Sequence, residues 1–193
     1  EFKKENESLI TIVFGSDPTF MPNYVLELNS FDIVVRGEPE FIIRDIVNEF
    51  ENEDGSWKKV KGIGYRDNGK IYLNDRYPLI ENLDVLPIPD RKMLPKNVDY
   101  FNPLIKRLPY TTMITSRGCS GTCNFCVSPA FYGKKIRSMS VERVIQELEI
   151  IESMGYKEVF FRDETFDFYK KRTVEICSEI IKRNINLTWI CNS

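Results

Sequence analysis

Cys119, Cys123 and Cys126 are spaced C-x3-C-x2-C within the run S-R-G-C-S-G-T-C-N-F-C-V at residues 116–127. Thiolates are ligands for soft metal centres. Three of them on one short loop rich in Gly and Ser suit a cubane iron–sulfur cluster better than a single ion. A four-iron cluster takes four ligands, usually four cysteines. Three protein ligands leave one iron with an open position, where a substrate or cofactor can bind. The spacing therefore points to reactive cluster chemistry rather than electron storage. A zinc knuckle would need a fourth Cys or His near the loop. The other two cysteines, Cys177 and Cys191, lie far along the chain, and the sequence contains no His. The lack of His also removes His-based triads and imidazole acid–base chemistry.

The chain of 193 residues is 42% hydrophobic and 29% charged, enough for one large domain or two small ones. Its formal net charge of −2 gives no global attraction to nucleic acid or to an anionic membrane. No apolar run approaches the ~20 residues of a membrane span. The first residues, E-F-K-K-E-N-E, are charged and carry no apolar segment of a signal peptide. Five cysteines, three of them clustered, argue against a disulfide framework and for a reducing cytoplasm. The chain lacks an initiator Met and stops just after a strand-like run, so it reads as an internal fragment of a longer protein.

The cysteine loop needs elements to hold it. Residues 111–115 read as the strand that feeds it. Ser140 is a good helix N-cap, and Val141, Val144, Ile145, Leu148, Ile151 and Met154 then line one helical face that stops at Gly155. Residues 158–162 read as a strand. Residues 170–184 read as a helix with Val174, Cys177, Ile180 and Ile181 inward, and residues 187–191 as the next strand. Strand–helix repeats of this length suggest the opening of a parallel (β/α) barrel. In such barrels the chemistry sits on loops at the carboxyl ends of the strands. The cysteine loop and the pair Asp163 and Glu164 both fall there.

Upstream, residues 9–14 are a short β-branched run ending at Gly15 and read as a buried strand. Residues 24–28 read as a short helix and residues 32–35 as a strand of parallel type. Pro39 suits a helix start, with Ile42, Ile43, Ile46, Val47 and Phe50 on its apolar face. This grammar is that of a doubly wound α/β sheet, of which only the second half is present. Residues 60–66 and 70–73 flank D-N-G and read as a β-hairpin. Pro87 and Pro89 make residues 82–90 an extended linker.

C-x3-C-x2-C with Phe125 inside it, just after a first barrel strand, resembles the radical S-adenosylmethionine (radical SAM) superfamily. The likeness continues through the helix opened by Ser140 and the strand ending in F-R-D-E-T-F at 161–166. The segments D-I-V-V-R-G-E-P-E at 32–40 and L-D-V-L-P-I-P-D at 83–90 look like the branch of that superfamily with an N-terminal cobalamin-binding domain. The resemblance implies a fold: the C-terminal half of a doubly wound cobalamin-binding-like domain at 1–60, a β-hairpin and Pro-rich linker at 61–109, and the N-terminal part of a (β/α) barrel at 110–193.

It also implies a chemistry. Cys119, Cys123 and Cys126 would hold a [4Fe–4S] cluster whose open iron chelates S-adenosylmethionine. Reduction would cleave that cofactor to methionine and a 5′-deoxyadenosyl radical, with a reduced flavodoxin- or ferredoxin-type protein as electron donor. Phe125 would lie near the adenine. The family often has a Gly-Gly-Glu at the end of the second barrel strand, whose carboxylate meets the cofactor's ammonium. Here that position reads R-D-E at 162–164, so either Asp163 or Glu164 could serve. On the cobalamin side, Gly15, Ser16, Gly37 and Glu38 would lie near the corrin edge. Relatives often carry Gly-Gly where this chain has Gly15 and Ser16, and no His here can be an axial ligand.

The reading is a cobalamin-dependent radical enzyme, a methyltransferase in the first instance, with the isolated fragment inactive. A radical methylthiotransferase would carry further cysteines upstream, and residues 1–110 have none. An iron–sulfur electron carrier would need a fourth cysteine ligand. Cys177 and Cys191 read instead as small core residues, and Phe160, Phe161 and Phe166 as packing. Lys106, Arg107, Arg117, Lys134, Lys135 and Arg137 concentrate positive charge in residues 101–140, which have no Asp or Glu. They read as a solvated face, with favouring of the reduced, more negative cluster or docking of an acidic donor as the alternatives.

Overall fold

The structure, a computed structural model, describes residues 5–6, 8–51, 55–95, 98, 100 and 102–193. Most of the charged N-terminal run, residues 1–4 and 7, lies outside the described residues. The chain is a mixed α/β fold that divides into two compact units: Glu1–Ile80 with Cys123–Tyr132, and Glu81–Thr122 with Gly133–Ser193. Among the described residues no helix is long and apolar enough to cross a membrane.

The first unit is built on a four-stranded sheet in the order β1-β2-β3-β4. Strands β1 (Ile12–Phe14) and β2 (Ile33–Val35) are parallel, with Val13 opposite Val34. The connection between them holds two short helices, α1 (Ser16–Phe20) and α2 (Pro22–Glu27). Strand β2 is buried at every residue. Alternation explains why it is apolar throughout. Ile33 and Val35 pack with Ile42 and Ile46 of helix α3 (Pro39–Phe50), while Val34 packs with Val25 and Leu26 of α2. Burying a side chain such as Ile42 or Ile46 contributes about 1.5–3 kcal/mol. Val47 does not share that face: it is exposed.

The hairpin β3 (Ile63–Asp67) and β4 (Lys70–Leu73) turns at Asn68 and Gly69, both with positive φ, as a tight two-residue turn requires. It is part of this sheet, because β3 pairs antiparallel with β2.

The second unit carries a three-stranded parallel sheet, β5 (Tyr110–Met113), β8 (Glu158–Phe161) and β9 (Thr188–Cys191), in the order β5-β8-β9. A two-stranded ribbon, β6 (Ser116–Arg117) against β7 (Arg137–Ser138), follows β5. The short helix α4 (Ser128–Tyr132) lies between the ribbon strands in sequence and is grouped with the first unit.

Parallel neighbours need long crossovers. Helix α5 (Val141–Ser153) and helix α6 (Lys170–Lys182) supply them. The Ser140 side chain accepts from the Arg143 N–H, capping α5. Val144, Ile145, Leu148 and Ile151 are buried, and Gly155 takes a positive φ just past the helix.

Helix α6 differs from its expected face. Ile176 is its buried residue, whereas Val174 and Ile181 are exposed. Two apolar stripes overlap on this helix, and burial chose the one through Ile176.

The Pro-rich stretch is extended but not loose. Leu83 and Leu86 are buried, and Asn82 and Asp90 cap two single 3-10 turns. Arg91 and Arg143 both meet the buried carboxylate of Glu147. Arg143 also donates to the Leu86 carbonyl, and Arg91 to Thr111 Oγ1 and to the Thr112 carbonyl.

Candidate functional site

Strands β5 and β8 run in parallel register, Met113 beside Phe161, so the chain segments after them leave the same edge of the sheet. After β5 come Thr115, Ser116 and the cysteine motif. After β8 come Arg162, Asp163 and Glu164.

The edge is knit by side chains. Asp163 is 0% exposed. Its Oδ1 accepts from the Thr115 N–H at 2.6 Å, and its Oδ2 accepts from Thr115 Oγ1 at 2.6 Å and Ser116 Oγ at 2.7 Å. Arg172 of α6 donates to the carbonyls of Thr115 and Met139, each at 3.0 Å. Burial pushes its guanidinium below the ordinary value, against the pull of Asp163 and Asp84. At the end of β9, Asn192 Nδ2 donates to the Asp163 carbonyl at 3.1 Å.

This arrangement separates the two candidate carboxylates. Both oxygens of Asp163 are taken up by hydrogen bonds to Thr115 and Ser116. Glu164 is half-buried at the next position.

All five cysteines are free thiols. Cys119 is half-buried, and Cys123 and Cys126 are exposed. The Cys119 N–H donates to the Gly133 carbonyl, and Cys119 Sγ accepts from the Gly121 N–H at 3.4 Å. The Cys126 N–H donates to the Cys123 carbonyl, closing a turn around Phe125, which is 91% exposed. Among the described residues no three His, Cys, Asp or Glu side chains are gathered into a metal-binding group. The donor set nevertheless fits a three-cysteine cluster: three reduced thiols within eight residues, none in a disulfide. Cys191 is half-buried on β9, and burial first, then Asp167, Asp163 and Cys177, push its thiol up.

In the first unit Gly15 follows β1 and Gly37 follows β2, again at one edge of a parallel pair. Their φ angles of 124° and 108° suit glycine, and a Cβ at either would point into open space. Such bare backbone lets a flat ligand approach closely. Thr19 links the two loops: its hydroxyl donates to the Gly15 carbonyl at 2.6 Å and accepts from the Gly37 N–H at 3.0 Å. Ser16 is exposed beside Asp17. Glu38 is buried and accepts from the Ile80 N–H at 2.7 Å.

The sequence singled out the cysteines, Phe125, Asp163, Glu164, Gly15, Ser16, Gly37 and Glu38. It missed Thr115, Ser116, Arg172 and Thr19. Isolated hydroxyls and a helix-borne Arg give no local signal when their partners are 48 or 57 residues away. The basic stretch is less uniform than its composition suggests. Lys135 pairs with Glu81 at 2.6 Å, Arg137 is buried, and the backbone N–H groups of Lys106 and Arg107 serve Glu158.

Residues 113–193 match the Radical SAM superfamily. The chain is 36% identical over 193 residues to an uncharacterized methyltransferase of Pyrococcus horikoshii, covering 99% of this chain and 41% of that protein. It is 29% identical over 198 residues to an anaerobic magnesium-protoporphyrin IX monomethyl ester cyclase of Rubrivivax gelatinosus, covering 99% and 35%. The chain thus spans well under half the length of these relatives. Its fold resembles that of the cobalamin-dependent S-adenosylmethionine radical enzyme OxsB, solved with aqua-cobalamin and S-adenosylmethionine bound. The TM-score is 0.72 at 22% identity, over 97% of this chain and 26% of that one.

Proposed function

We propose that this chain, whose residues 113–193 carry a radical SAM domain, holds a [4Fe–4S] cluster on Cys119, Cys123 and Cys126 and takes part in reductive cleavage of S-adenosylmethionine within a cobalamin-dependent radical enzyme. The observation that carries the reading is the C-x3-C-x2-C loop leaving the carboxyl edge of β5, beside the carboxylate-bearing end of β8. When bound, the cluster supplies the electron and the open iron for that cleavage, and cobalamin supplies a methyl carrier.

The chain's own residues bind and orient. The three thiolates carry the cluster, and their count leaves a coordination position for the amino and carboxylate groups of S-adenosylmethionine. Glu164, rather than the inward-turned Asp163, takes the cofactor's ammonium. Phe125, standing out from the Cys123–Cys126 turn, lies against the adenine. Gly15, Ser16 and Gly37, with Glu38 behind them, form the edge that meets cobalamin, and Thr19 fixes the spacing of the two loops. The two units would then be the second half of a doubly wound domain and the first strands of a (β/α) barrel. A reduced flavodoxin- or ferredoxin-type protein would deliver the electron in a reducing cytoplasm.

The two relatives, a methyltransferase and a cyclase, name the reaction classes to try. Methyl transfer comes first, because the methyltransferase has the higher identity. The test is electron paramagnetic resonance of the intact protein, reconstituted anaerobically with iron and sulfide and reduced, with and without S-adenosylmethionine. A cubane signal that shifts on adding the cofactor supports the proposal. A cubane signal indifferent to it indicates a fully ligated electron carrier and overturns it.

A further inference from the structure

We propose that Asp163 is a positioning residue for the cysteine loop, acting through Thr115 and Ser116 and making no contact with the cofactor. This rests on the cluster reading above and assigns a role that the cysteine spacing does not contain.

A carboxylate sealed from water is costly unless its oxygens are hydrogen-bonded. Asp163 meets that condition with three donors, and all three belong to Thr115 and Ser116. The consequence for Thr115 is complete restraint. Its N–H and hydroxyl go to Asp163, and its carbonyl accepts from Arg172 and from the Met139 N–H.

Ser116 is held at its hydroxyl by Asp163 and at its backbone by pairing with Ser138. Beyond it, Gly118 lies so close to the Lys135 carbonyl that a Cβ there would be 2.3 Å from the oxygen. The Cys119 N–H then bonds to Gly133. From Thr115 to Cys119 the chain is therefore a stem with little freedom. The residue that ties this stem to the end of β8 is Asp163. The position of the first cluster ligand is set from the neighbouring strand.

Arg172 completes the device. It reaches the Thr115 carbonyl from α6, so the stem is gripped from two elements that both follow the cysteine motif in sequence. Outer partners of this kind orient a metal ligand without touching the metal. Their loss typically weakens metal retention about 10–100-fold.

The test uses D163N and S116A in the intact protein, reconstituted anaerobically and reduced. Asn conserves size but removes the charge and replaces one acceptor oxygen with an NH2 group, so the Thr115 N–H and the two hydroxyls can no longer all donate to it. The expected result for D163N is iron lost to a chelator about 10–100-fold more readily than in wild type, with an altered paramagnetic spectrum before any S-adenosylmethionine is added. S116A, which removes one donor and keeps the charge, should change both in the same direction by less, and it serves where D163N folds poorly.

Wild-type retention and a wild-type cofactor-free spectrum in both variants would overturn the proposal. A lowered melting temperature with those two readouts unchanged would do so too, since it would mark Asp163 as merely structural. Absence of a cubane signal in wild type would instead sink the cluster reading, so the two failures are distinguishable.

Discussion

Arg91 Nη2 lies 2.6 Å from Glu147 Oε1, and both side chains are almost sealed from solvent. This pair fastens the Pro-rich stretch to helix α5, the crossover between β5 and β8. Arg143 shares the same carboxylate at 3.3 Å. A buried ion pair is weak support for net stability, but removing one partner leaves an uncompensated charge.

Glu147→Ala should therefore destabilise the protein by about 3–5 kcal/mol, since it strands two guanidinium groups. Denaturant unfolding checks this. The midpoint should fall with the slope unchanged, and a shift under 1 kcal/mol would mean that the two Arg side chains find water or other acceptors.

The cysteines divide into two classes with opposite expectations. Alanine at Cys119, Cys123 or Cys126 should abolish the reduced cubane signal and any cleavage of S-adenosylmethionine. Alanine at Cys177 or Cys191 should leave cluster content as in wild type, with at most a modest loss of stability. Iron and sulfide analysis after reconstitution checks both. Loss of the cluster in Cys191→Ala would revive a four-cysteine carrier.

Glu164→Gln separates the two carboxylates at the end of β8. A charge-assisted bond to an ammonium contributes about 1.5–3 kcal/mol, so binding of S-adenosylmethionine should weaken about 10–100-fold. The cluster itself should assemble as before. Titration of the cofactor-induced spectral shift measures this, and an unchanged affinity would remove Glu164 from the cofactor site.

How far the sequence speaks depends on the range of the interaction. The cysteine spacing, the Ser140 cap and the turn at Asn68 and Gly69 are local patterns and were legible. The choice between overlapping helical stripes was not, because it depends on what packs against the helix. Val47 and Ile181 carry apolar side chains at permitted spacings, yet the neighbouring elements bury Ile46 and Ile176 instead. Proline content announced an extended stretch at 82–90, but not that Arg91, just beyond it, would bind Glu147 56 residues away. At the site, acids at the end of β8 were visible as acids. Which one faces inward depends on Thr115 and Ser116, two ordinary polar residues whose partner is remote in sequence.

Glu158 gives the pH prediction. It is buried at the start of β8 and accepts from Thr188 Oγ1 and from the backbone N–H groups of Lys106 and Arg107. Burial alone would raise its carboxyl, but these hydrogen bonds outweigh burial and hold it below the ordinary value. A carboxylate with a depressed folded-state pKa binds protons more readily when unfolded. Its contribution to stability is thus present above the unfolded value, about 4.3, and is lost as pH falls through the lower folded value. Wild-type stability should decline below about pH 4, and Glu158→Gln should flatten that decline while lowering stability near neutrality by about 1–3 kcal/mol. Melting temperatures of both proteins from pH 3 to 7 test this. Parallel curves would show that Glu158 has no part in the acid response of the β5–β8–β9 sheet.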